Sequence, residues 1–330
     1  MPPAATSSGR SRPGRTASNG RSSAQTLTAA RRRPASDGRY LGVLTLEQLA
    51  QQLVNGVLIG LVYSLLAIGL TLIWGVMNVL NFAHGDFLMI GMFLSYWLYG
   101  LAGVDPLFSV PINAVALFLL GVLIYRFIIS KVMKGPPLAQ LVVTFGVSIF
   151  LSNLAALIWT PDFRTIGHTL LSGTWDVTGI ELSVPKLVTG IVSMLTSLGI
   201  FWFLRNTRTG KAILAVEMDR EAALIMGINA ERINSLSFGI GSALTGVAGA
   251  MLATYYYIYP FVGGTFGLIC FCIVALGGFG SIEGAFIAGI LVGVVETLGG
   301  YLLDPSYKLA IVFAMYLVTV WIRPQGLRGW

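Results

Sequence analysis

The chain has 330 residues, 55% of them hydrophobic and 11% charged, with a mean hydropathy of +0.79 and a formal net charge of +7. Soluble domains carry about 25% charged residues, so an ordinary cytosolic or secreted globule is excluded. The charge is also misplaced for a basic nucleic-acid-binding domain: residues 1–40 hold eight arginines against one aspartate, and the remaining basic and acidic residues cancel.

The first segment, as far as Tyr40, is built from Ala, Ser, Pro, Gly and Arg, with Leu27 almost its only large apolar residue before that tyrosine. It cannot bury enough surface to fold alone, and within the segment no apolar run follows its arginines as a plain secretory signal would require. Residues 1–45 therefore read as a disordered basic extension, or as the product of a start codon placed too far upstream. Residues 46–330 read as one transmembrane domain.

Apolar segments follow near 53–74, 87–103, 107–129, 138–159, 187–204, 236–259, 265–280, 284–302 and 307–322. Most approach the roughly 20 residues that an α-helix needs to cross a hydrocarbon core. No charge at all lies between Arg232 and Glu283. The expected fold is an all-α, polytopic transmembrane helical bundle. Glycine-broken segments within 265–302 leave eight or nine spans.

Orientation follows from basic residues near span ends. Arg205, Arg208, Lys211, Arg220 and Arg232 place the loop 205–235 in the cytoplasm. Parity then puts 160–186 outside, and Lys131, Arg323 and Arg328 inside. It also puts the arginine-rich tail outside, against the same rule. Either a broken helix lies around 75–86, or the tail does not belong to the mature chain.

The stretch NFAHGDFLMIG, residues 81–91, sets His84 and Asp86 between long apolar runs. Residues at i and i+2 do not share a helix face, and the chain has too few other His and Cys residues to complete a zinc site. Cys270 and Cys272 are read as small apolar packing residues. Neither a metal centre nor a catalytic dyad is expected. Two readings stay open. Asn81, His84 and Asp86 could cap and hydrogen-bond a chain break at Gly85, with Asp86 at the N-terminus of a helix starting at Phe87. Alternatively, or in addition, the break lines a solute path.

Ala212–Met226 has good helix formers and is stopped by Gly227. A short helix is expected there, either resting on lipid headgroups or docking in a groove of a partner. Further on, TYYYIYP at 254–260 suits an aromatic belt at the membrane interface or, alternatively, a docking face for a binding protein. In ALGGFGSIEGAFIAGILVG, residues 275–293, glycines four apart permit close helix packing. The same residues could instead break a helix at Gly277, Gly278, Gly280 and Ser281, exposing peptide groups at mid-membrane. Glu283 is expected near the cytoplasmic surface. Glu296 lies inside a predicted span and should face protein or a water-filled path. Tyr63, Ser64 and Thr71 could also face that path.

EAALIMG at 221–227 resembles the EAA-then-Gly loop of ABC importer permeases, although the later Leu-Pro pair of that motif is missing and the chain reads SFGIG instead. With GLTLIWGVMNVLNFAHGDFLMIG, ALGGFGSIEGAFIAGILVGVVE and RPQGL at 323–327, the chain from about residue 46 onward resembles the branched-chain amino acid permeases of the LivH type. That resemblance implies a subunit of a bacterial inner membrane importer, with no catalysis and no cofactor of its own. It implies that Glu221, Ala222, Ala223 and Gly227 couple the chain to an ATPase. The implied partners are a second related permease, two cytoplasmic ATP-binding subunits, and a periplasmic or lipid-anchored solute-binding protein, with membrane lipid around them and no nucleic acid. No GxxxxGK[ST] phosphate loop is present, so ATP hydrolysis would fall to the partners. Alternatives are urea or short amides as the solute, or a stand-alone secondary transporter or channel. A membrane enzyme would need convergent nucleophiles, bases or metal ligands that this chain hardly supplies.

Overall fold

The computed structural model describes residues 46–330 except 134, 168, 171, 178–179, 324 and 328–330. The basic extension expected at 1–45 lies outside the described residues.

The first helix, α1 (Leu46–Met77), is uninterrupted for 32 residues, about 48 Å at 1.5 Å per residue. Its middle is buried on all sides, from Val62 to Ile73, because it is apolar all round rather than along one stripe. After a non-helical stretch, α2 (His84–Ala102) ends at Gly103, whose left-handed φ of 64° returns its N–H to the last carbonyls. α3 (Pro106–Ile124) starts at Asp105, which accepts a hydrogen bond from the Leu107 N–H. A π-helical turn, Tyr125–Ile129, carries it into α4 (Ser130–Val132). Pro136 and Pro137 end that run and begin α5 (Pro137–Trp159).

A small antiparallel hairpin follows, β1 (Thr174–Val177) and β2 (Ile180–Ser183), with Thr174 opposite Ser183. It marks one end of the bundle, since Gln51 Nε2 near the start of α1 donates to the Glu181 carbonyl at 2.6 Å. α6 (Val184–Asn206) crosses to the other end. There α7 (Arg208–Met218) and α8 (Arg220–Ile225) form the short helical element. The chain returns through α9 (Ala230–Leu252), α10 (Val262–Gly277) and α11 (Ile282–Leu302). A 3-10 turn, Pro305–Tyr307, leads into α12 (Lys308–Ile322). Among the described residues, eight helices are long and apolar enough to cross a membrane; α10, with 16 residues, is shorter. This is a polytopic helical membrane protein.

The core is built where glycines let backbones meet. A Cβ on Gly60 would lie 2.7 Å from Ile290 Cα, and one on Gly56 would lie 2.7 Å from Val294 Cα. α1 and α11 are thus in backbone contact, with Gly289 and Gly293 of the glycine-rich stretch read from the sequence packed on Ser64 and Gly60. Ser64 seals the seam by donating to the Gly60 and Phe286 carbonyls at 2.8 and 2.7 Å. The outer helices behave oppositely: Phe108, Ile112, Val115 and Leu119 of α3 are exposed at helical spacing, the face a lipid-solvated helix presents.

Three boundaries differ from the sequence expectation. α2 begins at His84 rather than Phe87, so the break lies in residues 78–83 and not at Gly85. α9 stops at Leu252, leaving the tyrosine-rich residues as a non-helical connection to α10. The Gly278–Ser281 turn is not at mid-membrane: Gly280 lies against Gly75, close to the end of α1, and the Phe279 ring packs tilted on Trp74 with 4.9 Å between ring centres. The cause is local. Gly278 and Gly280 have φ of 99° and 85° and reverse the chain, which folds α11 back so that Gly284 packs on Gly277.

Candidate functional site

The break at 78–83 re-enters the bundle. His84, at its end, reaches Leu66 of α1, eleven residues before Met77, or about 16 Å from the helix end. α2 therefore starts near the middle of the bundle. Asn81 Oδ1 accepts from the Ala83 N–H at 3.2 Å and shapes the turn. His84 Nε2 faces the Leu66 carbonyl at 3.0 Å, and since a carbonyl only accepts, Nε2 carries the hydrogen. The same nitrogen lies 3.2 Å from Thr245 Oγ1 of α9, whose own hydrogen goes to the Gly241 carbonyl. His84 Nδ1 and Asn81 Nδ2 are buried and have no partner among the described residues.

Asp86 points elsewhere. Its carboxylate accepts from Ser152 Oγ of α5 at 2.6 Å and from Ser148, tying α2 to α5. Gly85 is not the break but a contact: a Cβ on Gly263, in the first turn of α10, would lie 2.6 Å from the Gly85 carbonyl oxygen. α10 therefore also starts here, and two helix N-termini converge deep in the bundle. In the first turn of α2 the His84, Asp86 and Phe87 N–H groups donate to the Asn81 and Ala83 carbonyls, and in α10 those of Val262 and Gly264 donate to Tyr259 and Phe261; what both ends retain is the partial positive charge of a helix N-terminus. The positive ends of two helices can attract a carboxylate without any buried cation. In this conformation Gly85 and Gly263 are too close to admit a solute between them.

The other expected path residues do not join this junction. Gly277, Gly278, Gly280 and Ser281 lie at the far end of α10, about 24 Å away along its axis. There Ser281 Oγ accepts from the Gly284 N–H at 3.1 Å and caps α11, while Glu283 forms an ion pair with Arg205. Glu296 is on the opposite side, near the hairpin end. It accepts from the Tyr63 hydroxyl, and its Oε2 is buried without a partner among the described residues.

The α7–α8 element is two helices rather than the single one expected, because Asp219 adopts an extended conformation between them. Its carboxylate accepts from the Glu221 and Ala222 N–H groups at 2.9 and 3.0 Å, and so starts the second helix. Ala223 is buried, whereas Leu224, Ile225 and Met226 are 52%, 85% and 81% exposed. Gly227 has a φ of 84° and ends the helix as anticipated. Glu221 is exposed.

Sequence reading passed over four partners. Thr245, Ser148 and Ser152 are ordinary hydroxyl residues on apolar helices, and only the fold brings them to His84 and Asp86. Glu217 had a signal: it interrupts the apolar run AILAV beside the buried Ile213 and Val216. Its carboxyl is half-buried against Gly75 and Gly280, and burial pushes its pKa up to about 7.

Comparison with known proteins supplies the family. Residues 52–320 match the model described as the branched-chain amino acid transport system / permease component. The high-affinity branched-chain amino acid transport system permease protein LivH of Salmonella typhimurium is 34% identical over 298 residues, covering 84% of this chain and 95% of that protein. BraD of Pseudomonas aeruginosa, a permease protein of the same description, is 33% identical with the same coverage. Among solved structures, PsaBC from Streptococcus pneumoniae in complex with Fab superposes with a TM-score of 0.47 at 14% identity, over 82% of this chain and 91% of that one. With a family model spanning most of its described length and relatives matched nearly end to end, the chain belongs to the family of branched-chain amino acid transport system permease components.

Proposed function

We propose that this chain is the membrane-embedded permease subunit of an ATP-driven importer of leucine, isoleucine and valine in the bacterial inner membrane. The observation that carries the reading is the nearly end-to-end similarity to LivH and BraD, both described as high-affinity branched-chain amino acid transport permeases. The chain performs no chemistry itself. Two cytoplasmic ATP-binding subunits hydrolyse ATP, a second related permease completes the path, and a periplasmic or lipid-anchored binding protein delivers the solute. The α7–α8 end faces the cytoplasm and the hairpin end faces outward, in line with the arginines and lysine around α7 and α8.

In this reading α8 is the coupling element. Leu224, Ile225 and Met226 form a small apolar knob that seats in a groove of the ATPase, Ala222 and Ala223 permit close approach, and Asp219 and Gly227 fix the two ends of the helix. Movement of α8 passes through α7 to the end of α1, which Glu217 touches at Gly75. The converging first turns of α2 and α10 are the constriction. When they separate, their positive ends, with the Asn81 Nδ2 donor beside them, can receive the solute carboxylate, and the surrounding apolar side chains accept its branched tail.

The test is uptake by proteoliposomes holding the chain with its partner permease and ATPases, offered labelled leucine, isoleucine, valine and urea with the binding protein. ATP-dependent accumulation of the three amino acids is expected. Urea uptake in their place would replace the substrate, and leucine uptake without the ATPases would make the chain a stand-alone transporter. Replacing Glu221 and Gly227 together should leave assembly intact and uncouple hydrolysis from uptake. Full uptake in that variant refutes the role of α8.

A further inference from the structure

A second site lies away from the α2–α10 junction. Between the end of α1, the end of α6, α7 and the α10–α11 turn is a cavity of about 700 Å³, well within the range of small-molecule sites. Its walls are aromatic and aliphatic, led by Trp74, Phe201, Phe279 and Leu214. Three charged groups face it. Arg205 of α6 and Glu283 of α11 neutralise each other at the rim. Glu217 of α7 stands alone: no hydrogen bond or ion pair reaches its carboxylate from the described residues. The end of α1 and the residue after it contribute Trp74, Gly75 and Asn78 and no charge, and Asp219, two residues beyond Glu217, is turned away to cap α8.

A carboxylate beside tilted aromatic rings in an apolar cavity is a receptor for an ammonium ion. The carboxylate supplies the counter-charge, ring faces attract the cation, and the remaining wall accepts a hydrocarbon chain. Gly75 and Gly280 keep the floor open around the acid: a Cβ on Gly75 would collide with the Glu217 carboxyl. We propose that this cavity binds a small apolar ammonium ion, the size of 3-methylbutylammonium or the amino end of an aliphatic amino acid, with Glu217 as its counter-ion and Trp74 and Phe279 as its aromatic wall. The site rests on the transport reading only for the side it faces, which would be the cytoplasm. An importer with such a site would sense amine or amino acid that has already crossed.

Calorimetry on the complete complex in phosphatidylcholine nanodiscs at pH 8, without ATP, tests this with 3-methylbutylammonium chloride as the probe. Saturable binding is expected for the amine and none for 4-methylpentanoate, which has a similar hydrocarbon chain and the opposite charge. Glu217→Gln should weaken binding at least tenfold, and Glu217→Asp and Phe279→Ala severalfold, which keeps the test alive if the glutamine variant does not fold. Lowering the pH to 5.5 should also weaken binding more than tenfold, as Glu217 takes up its proton. Repeating the titration with phosphatidylethanolamine in the disc separates the two sources of a primary ammonium: unchanged affinity identifies a free amine, and competition identifies a lipid headgroup as the occupant. Equal affinity in wild type and Glu217→Gln, or equal binding of the carboxylate, overturns the proposal. Absence of leucine uptake by the wild-type complex would overturn the transport reading and leave these titrations standing.

Discussion

Adding one methyl group at Gly263 tests the convergence of α2 and α10. A Cβ there meets the Gly85 carbonyl oxygen at 2.6 Å, its carbon at 2.7 Å and Asp86 Cα at 2.9 Å. All three are backbone atoms, so no rotamer relieves them. Carbon atoms rest about 3.5–4.0 Å apart, so the two helix starts must separate by roughly 0.8 Å or more. Overpacking of this kind costs about 1–3 kcal/mol. The neighbouring Gly264 is an internal control, because a Cβ there meets nothing within 4 Å. Both replacements gain helix propensity, up to about 1 kcal/mol, so their difference isolates the contact. At about 2–4 °C per kcal/mol, Gly263→Ala should melt roughly 2–12 °C below Gly264→Ala in a thermal scan of the purified permease. Uptake should fall more in Gly263→Ala as well. If Gly263→Ala melts at or above Gly264→Ala, the two N-termini do not meet as described.

Further outcomes follow from individual contacts. Ser152→Ala removes a donor from the buried Asp86 carboxylate and should cost about 1 kcal/mol, read as a lower denaturation midpoint; Asp86→Ala should cost more. Asp219→Ala removes the cap of α8, worth about 1 kcal/mol, so amide exchange should quicken across 220–227 while the global melting temperature hardly moves. The Glu217 carboxyl titrates near 7 in the folded chain against about 4.5 in its ordinary state, so the folded protein binds this proton more tightly than the unfolded one. Stability from this group is therefore present at low pH and is lost as the pH rises from about 4.5 to 7. Glu217→Gln should raise the melting temperature more at pH 8 than at pH 5. A gap that is constant with pH would show that Glu217 is not held protonated by burial.

Most of the bundle could be read from apolar length and charge alone, because a membrane span advertises itself through an uninterrupted run. α1, α3, α5 and α6 lie close to their expected positions for that reason. The failures share a cause. Residues 253–259 carry no charge and continue the run of α9, so charge and length do not mark that the helix stops at Leu252, whereas the break at 78–83 falls within the gap expected at 75–86. The glycines of 277–280 were legible as a break, but its depth depends on how far α10 has travelled, and α10 starts late. At the candidate site, His84 and Asp86 stood out as polar residues in apolar surroundings. Their partners Leu66, Thr245, Ser148 and Ser152 are fixed only by the packing of α1, α9 and α5 around α2. Glu217 was visible in principle, as an acid on the buried face of an amphipathic helix.

The length of α1 has a mechanical consequence. One end of this rod abuts Glu217 at Gly75; the other holds the hairpin through Gln51 and α11 through Gln48, which accepts from the Tyr301 hydroxyl at 2.7 Å. For a rigid rod of about 48 Å, a pivot of only about 5° about one end displaces the other by about 4 Å. That is more than enough to part both glutamine contacts. A small push from the α7 side would thus arrive at the opposite face as a released clasp, with no helix bent or unwound on the way.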